Sequence, residues 1–289
     1  MTVVAYERPK RQRVHGATGR VVFVGAGPGD PDLITLRGWR ILCEADVVLY
    51  DSLVDARLLE DLDAELVFVG KRCGDHHMPQ EAITELLVRF ARDGRRVVRL
   101  KGGDPTVLGR TGEEALRLSQ LGIPFEIVPG VSSAVAAPAL AGIPVTHRGV
   151  ADAVCILSAH RQEDEPELSI PPYHPRTTLV LLMALQTVGT WSPQLLERGY
   201  PADLPVAFVN AGATARQRVV VTTVARAAAD ARSAALDSPT LAVVGRVVSL
   251  RDKLAAYEGA LLRSRHEDAP VMHMLAFTAG GAREESCPS

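Results

Sequence analysis

The sequence predicts an α/β protein of two lobes, the first built on a mainly parallel sheet and the second on a mixed one. Three observations carry that expectation. Over residues 20–145, short apolar runs rich in valine and leucine alternate with helix-like stretches, the pattern of parallel strands covered on both faces. Beyond residue 145 two such runs lie close enough together for an antiparallel hairpin. The chain also has 289 residues, 47% of them hydrophobic, enough for one large core or two modest ones.

Taken in order, residues 1–19 are polar and basic without periodicity and read as a flexible basic arm. The first lobe, 20–145, has expected strands at 21–25, 47–51, 66–70, 97–100 and 125–128. Between them the spacing predicts helices at 31–44, 79–93 and 111–121. A Gly-Ile-Pro interruption places the division between lobes within 142–147. The second lobe, 146–262, has expected strands at 153–158, 178–183, 205–209, 218–224 and 240–248, with a closing helix over 250–262. Residues 263–289 are irregular and read as a disordered tail.

Composition excludes several classes of function. Aromatic residues make up only 4%, so the core must be mostly aliphatic and small. With 32 basic against 34 acidic residues and a net charge of -2, the chain lacks the basic excess of a general nucleic-acid binder. No apolar run is long enough for a membrane span, and no apolar stretch follows the basic arm as in a secretory signal, so the expected location is cytoplasmic. Cys43, Cys73, Cys155 and Cys287 form no C-x-x-C pair. Cys73, Asp75, His76 and His77 superficially suggest metal ligands, but their spacing matches no structural zinc motif, and no metal is expected.

Chemistry is expected where strands run into glycine. Gly25-Ala-Gly-Pro-Gly-Asp30 follows the first strand, yet the third glycine of a dinucleotide fingerprint is replaced by Asp30. A carboxylate there opposes a pyrophosphate, and Asp30 fits a helix cap instead. Lys101-Gly-Gly-Asp-Pro105 follows the fourth strand, and beyond it Thr111 and Glu114 have the spacing of a capping box. Pro129-Gly-Val-Ser-Ser133 follows the fifth. Loops after parallel strands share one sheet edge, where open α/β sheets bind ligands. Asp51 and Lys71 end neighbouring strands at that edge. Asp51 there can hold a ribose hydroxyl, act as a base or cap the next helix.

These segments occur together and in register. Val24-Gly-Ala-Gly-Pro-Gly-Asp-Pro31, Tyr50-Asp-Ser-Leu-Val54, Val69-Gly-Lys-Arg72, Val97-Val-Arg-Leu-Lys-Gly-Gly-Asp-Pro105, Gly142-Ile-Pro-Val-Thr-His-Arg148, Ser238-Pro-Thr-Leu241 and Val244-Gly-Arg-Val-Val248 resemble the tetrapyrrole methylase family, and within it the uroporphyrinogen-III C-methyltransferases. The resemblance covers about residues 20–258. It implies two α/β lobes with S-adenosylmethionine between them and a homodimer. It also implies successive transfer of two methyl groups to uroporphyrinogen III, giving precorrin-1 and then precorrin-2, toward sirohaem or cobalamin.

Carried over by position, the cofactor contacts fall on Pro28, Gly102, Gly103, Asp104, Val107, Ser132, Ser133, Met183 and Gly212, and the acid–base pair on Asp51 and Lys71. A polycarboxylate substrate would call on Arg72, Arg110 and Arg148, since guanidinium groups suit bidentate carboxylate contacts. The chain departs from the commonest family pattern at Thr111, Ser132-Ser133, Leu182 and Ala213. A later corrin-ring methylase and a non-catalytic nucleotide-sensing module remain as alternatives.

Overall fold

The computed structural model describes residues 19–70, 78–160 and 168–254. The first sheet comprises β1 (Arg20–Gly25), β2 (Val47–Tyr50), β3 (Glu65–Phe68), β4 (Arg96–Lys101) and β5 (Phe125–Val128). Its order is β3-β2-β4-β1-β5, and every pairing is parallel. The second comprises β6 (Ala153–Ser158), β7 (Thr177–Leu182), β8 (Pro205–Asn210), β9 (Arg218–Thr223) and β10 (Thr240–Val244), ordered β6-β7-β10-β8-β9. Here β6 and β7 are parallel, while β10 runs antiparallel to β7 and β8. The expected hairpin is present, with β8 and β9 antiparallel from Pro205 opposite Thr223 to Asn210 opposite Arg218.

Successive side chains of a strand point to opposite faces, and the valine runs use both. Val21, Phe23, Val47, Leu49 and Val97 pack under α2 (Gln80–Arg92) and α3 (Thr111–Gln120). Val22, Val24, Val48, Val98 and Leu100 pack on the opposite face, with Leu42 of α1 (Leu36–Cys43) and Leu58. The second sheet is covered in the same way. Ala134, Ala137 and Ala141, in and just after α4 (Ser133–Leu140), lie with Val180, Ala207 and Val209. Trp191 and Leu195 of α5 (Val188–Glu197) and Ala227 and Ala231 of α6 (Ala227–Ser233) lie with Leu179, Leu181 and Phe208.

Several expected boundaries shift, each for a local reason. The helix expected at 31–44 is a 3-10 turn at Pro31–Leu33 followed by α1, whose N-cap is Thr35 and not Asp30; the Thr35 hydroxyl accepts from the Gly38 amide at 3.1 Å. The strand expected at 240–248 stops at Val244, because Gly245 (φ 147°) turns the chain into a 3-10 helix at Arg246–Leu250. The closing helix is described as α7 (Arg251–Leu254), and its expected remainder lies outside the described residues. Gly19, expected in the arm, is buried and donates its amide to the Ala91 carbonyl at 2.7 Å. The rest of the arm and the tail lie outside the described residues.

The division between compact units also differs from the expected 142–147. One unit holds residues up to Ala26 together with Ile34–Gly130; the other holds Gly27–Leu33 and the chain from Val131 onward. The reason is α4, whose alanines pack on the second sheet, so Gly142-Ile143-Pro144 follows that helix instead of separating lobes.

The second unit depends visibly on Trp191, which is fully buried, packs against Phe208 and donates its indole N–H to the Ala184 carbonyl at 2.8 Å. Trp191→Ala should destabilise the protein by about 3–5 kcal/mol, read as a lowered midpoint in denaturant unfolding. A change below about 1 kcal/mol would show that the site collapses around the loss.

Candidate active site

Because the strands of the first sheet are all parallel, their carboxyl ends form one edge. Gly25 ends β1 there, Lys101 ends β4 and leads into Gly102-Gly103-Asp104, and Asp51 and Pro129-Gly130 follow β2 and β5. The backbones approach so closely that side chains are excluded. A Cβ on Gly25 would lie 2.5 Å from Gly130 Cα and 2.6 Å from the Gly103 carbonyl oxygen, and one on Gly102 would lie 2.7 Å from Leu53 Cβ. Gly103 has φ 67°, a conformation that favours glycine.

Asp104 fastens these loops together. Its Oδ2 accepts from the Gly130 amide at 3.0 Å, and its Oδ1 accepts from the amide and hydroxyl of Thr106 at 2.7 and 2.5 Å. Burial pushes the carboxyl up, but the bonds from Thr106, Gly130 and Val107 outweigh it and hold Asp104 below the ordinary carboxylate value of 3.8. Val107 thus closes the same turn. Arg110 is exposed, has φ 55°, and pairs with Glu113 at 2.7 Å.

Beneath this edge lies a cluster of charges that the sequence patterning did not single out. Arg99 is in register with Phe23 and Leu49, on the face covered by α2 and α3, and Lys101 follows it on the same face. Both are 5% exposed, and Glu114 of α3 is fully buried. Lys101 Nζ donates to Glu114 Oε2 at 2.8 Å, while Arg99 Nε and Gln80 Nε2 donate to Oε1 at 3.3 and 2.9 Å. The expected capping box is therefore absent. Thr111 is the first residue of the helix and donates its hydroxyl to the Pro105 carbonyl, while Glu114 turns inward to meet two cations. Burial pushes the Lys101 ammonium down, aided by the neighbouring Arg99 charge and opposed by Glu114 and Asp51. The available signal was two charges at alternate positions of an apolar strand, Val97-Val98-Arg99-Leu100-Lys101.

Asp51 adjoins that cluster. Its Oδ1 accepts from the Leu53 amide at 3.0 Å in a turn, and its Oδ2 faces Arg99 Nη1 at 3.7 Å. The next helical element is capped by Asp55 and not, as one alternative expected, by Asp51. Lys71 and Arg72 lie outside the described residues, as do Cys73, Asp75, His76 and His77.

The second unit gathers its own candidates. The Pro28-Gly29 loop lies on the turn after β8, since a Cβ on Gly29 would come within 2.9 Å of Thr214 Cγ2. Gly212 in that turn fits against α4, where its Cβ would lie 2.4 Å from that of Ala137. Ser132 caps α4 by accepting from the Ala134 amide at 3.2 Å, and Ser133 begins the helix. Exposed Met183 (φ 57°) follows β7, and Ala211 and Ala213 (φ 44° and 63°) follow β8, three non-glycine residues in left-handed backbone. Such strain persists where surrounding structure enforces it and tends to mark functional loops. Arg148 is exposed, in the turn closed by the bridge between His147 and Ala151. Asp30 is buried and accepts from the Asp32 amide at 3.0 Å, so a carboxylate already takes an amide that a phosphate would seek at this turn. No group of three or more metal-ligating side chains occurs among the described residues, and none of their helices is long and apolar enough to cross a membrane.

Comparison with known proteins agrees with the resemblance in the sequence. The family model described as Tetrapyrrole (Corrin/Porphyrin) Methylases matches residues 20–228. The siroheme synthase of Azotobacter vinelandii is 47% identical over 246 residues, which are 84% of this chain and 53% of that protein. The chain therefore spans about half the length of the curated relatives it matches. Among solved structures, a uroporphyrin-III C-methyl transferase from Thermus thermophilus complexed with S-adenyl homocysteine aligns with TM-score 0.68 and 40% identity, covering 80% of this chain and 93% of that one. A cobalt precorrin-4 methyltransferase aligns with TM-score 0.68 and 28% identity, over 79% and 95% of the two chains.

The hydrogen bonds to Asp104 have a pH signature. A carboxyl held low in the folded state contributes stability that is fully present above its unfolded value and is lost as pH falls through the folded one. Stability measured from pH 6 down to about pH 2 should thus fall more steeply for the natural protein than for Asp104→Asn. Equal slopes would remove Asp104 from the acid sensitivity of the fold.

Proposed function

The chain belongs to the tetrapyrrole methylase family, and on that premise we propose that it is an S-adenosylmethionine-dependent C-methyltransferase that converts uroporphyrinogen III through precorrin-1 to precorrin-2. The observation that carries this reading is Asp51 standing beside strand-end glycine loops packed closely on one another, at the edge where such sheets bind ligands. Support comes also from the 40% identity to a uroporphyrin-III methyl transferase against 28% to a cobalt precorrin-4 enzyme. Asp30 further disfavours a dinucleotide.

In this reading Pro28, Gly102, Gly103, Asp104, Val107, Ser132, Ser133, Met183 and Gly212 hold S-adenosylmethionine. A Cβ would meet Leu53 at Gly102 and Ala137 at Gly212, so glycine is what lets these two loops pack where they do. When bound, the cofactor supplies an electrophilic methyl carbon to an electron-rich pyrrole carbon. The chain's own contribution is to hold the reactants close and aligned. It must also accept the proton that the substrate loses elsewhere as its ring carbon is methylated, a task given to Asp51 with Lys71 as its acid partner. Arg72, Arg110 and Arg148 meet substrate carboxylates. The exposed Arg110–Glu113 pair is weak, so exchanging Glu113 for a substrate carboxylate costs little. The same reading carries a cytoplasmic homodimer and precorrin-2 bound for sirohaem or cobalamin.

Two variants test it. Asp51→Asn keeps the acceptor for the Leu53 amide but removes the base, so single-turnover methylation should slow by about 10²–10⁴-fold while affinity for S-adenosylhomocysteine holds. Unchanged methylation would reduce Asp51 to its turn. Gly103→Val puts a β-branched residue into left-handed backbone at the loop. Calorimetry should show loss of S-adenosylhomocysteine binding in a protein that still folds; normal affinity would make the loop a mere turn.

A further inference from the structure

Methyl transfer as proposed uses Asp51 but gives no task to the charges beneath it. Burying Arg99, Lys101 and Glu114 carries a desolvation penalty that apolar side chains of similar volume would avoid. Positions 99 and 101 lie on a strand face otherwise filled by Val97, Phe23 and Leu49, where such side chains fit the pattern. The geometry around Arg99 suggests what the charges do. Its Nε donates to Glu114 Oε1, and its Nη1 donates to the Leu100 carbonyl at 3.1 Å and the Leu49 carbonyl at 3.5 Å. Glu114 is itself fixed by Lys101 and Gln80. The guanidinium is thus clamped, and its Nη1 is presented to Asp51 Oδ2 at 3.7 Å. Leu49 and Asp51 are two residues apart, so the Asp51 carboxylate stands on the side of the sheet where the clamp lies.

We propose that Arg99, clamped by Glu114, is a positioning residue that fixes the orientation of the Asp51 carboxylate at the sheet edge. The carboxylate is then held at both oxygens, by the Leu53 amide on one and by a buried cation facing the other. A planar fork suits this task because it can address Glu114 and Asp51 together, whereas a lysine ammonium is a single point of charge. The inference rests on the reading of Asp51 as the proton acceptor in methylation of uroporphyrinogen III.

A double-mutant cycle tests it. The natural protein, Asp51→Asn, Arg99→Lys and the double variant are compared in single-turnover methylation of uroporphyrinogen III and in calorimetric affinity for S-adenosylhomocysteine. Arg99→Lys should slow methylation by about tenfold, within the coupling range of neighbouring residues, and leave affinity within about twofold. In the Asp51→Asn background it should add nothing, because the group it orients is gone. Glu114→Asp keeps every charge while shortening the clamp. It supplies a second cycle with the same expected outcome should Arg99→Lys fold poorly. Equal slowing in both backgrounds, or a loss of affinity matching the loss of rate, would overturn the positioning role and leave the methyltransferase reading intact. A natural protein inactive on uroporphyrinogen III, or Asp51→Asn as fast as the natural protein, would overturn the premise and the inference together.

Discussion

Three strand ends meet at the first sheet where no side chain fits, and the arrangement of the candidate site follows from that. Gly130 could not carry a Cβ without bringing it to 2.3 Å from the Gly103 carbonyl oxygen, and Gly25 is confined by both. With side chains excluded, the β1, β4 and β5 loops touch through main chain, and the Asp104 carboxylate ties two of them by accepting the Gly130 amide. The second unit uses the same device more sparingly. Gly212 sits against Ala137, and Gly29 against Thr214. In both units, glycines in close contact with neighbouring chain hold the loops at strand ends.

The charges under the first edge set a different constraint. Glu114 has no exposure, so its carboxylate is tolerable only because Arg99, Lys101 and Gln80 all donate to it. That requirement joins β4, α2 and α3, since each contributes a member. It also makes the turn at Arg110 more than a connection: the left-handed residue there starts α3 so that Glu114, four positions on, reaches the sheet. A fold held only by the aliphatic clusters would leave the strand ends free to adjust. A connected charge network beneath them resists such adjustment, because moving any member strands another in a dry environment.

How much of this was legible depended on what each element buries. The strands announced themselves because Val21–Gly25 or Val47–Tyr50 can only be buried on both faces, and the parallel sheet followed from the helices between them. The hairpin of β8 and β9 was visible from its short loop. The boundary between units was not, because α4 is almost uniformly small and apolar and shows no face that says which sheet it covers. The cap of α1 was misread because Asp30 does bind an amide, but in a 3-10 turn that precedes the helix. Thr111 and Glu114 matched a capping pattern by spacing, yet the apolar surroundings of Arg99 and Lys101 claimed the glutamate. At the site, Asp51 and the glycine loops were legible from their places after strands. The supporting charges were not, since an alternating pattern counts them as interruptions of a buried strand.

The most direct test of the account is the mass of the product formed when the full chain is incubated with uroporphyrinogen III and methyl-labelled S-adenosylmethionine. The account predicts a product gaining one labelled methyl group and then a second, both on carbon, as S-adenosylhomocysteine accumulates. A protein that binds the cofactor yet leaves uroporphyrinogen III unlabelled, while methylating a more advanced corrin-type ring, would contradict it.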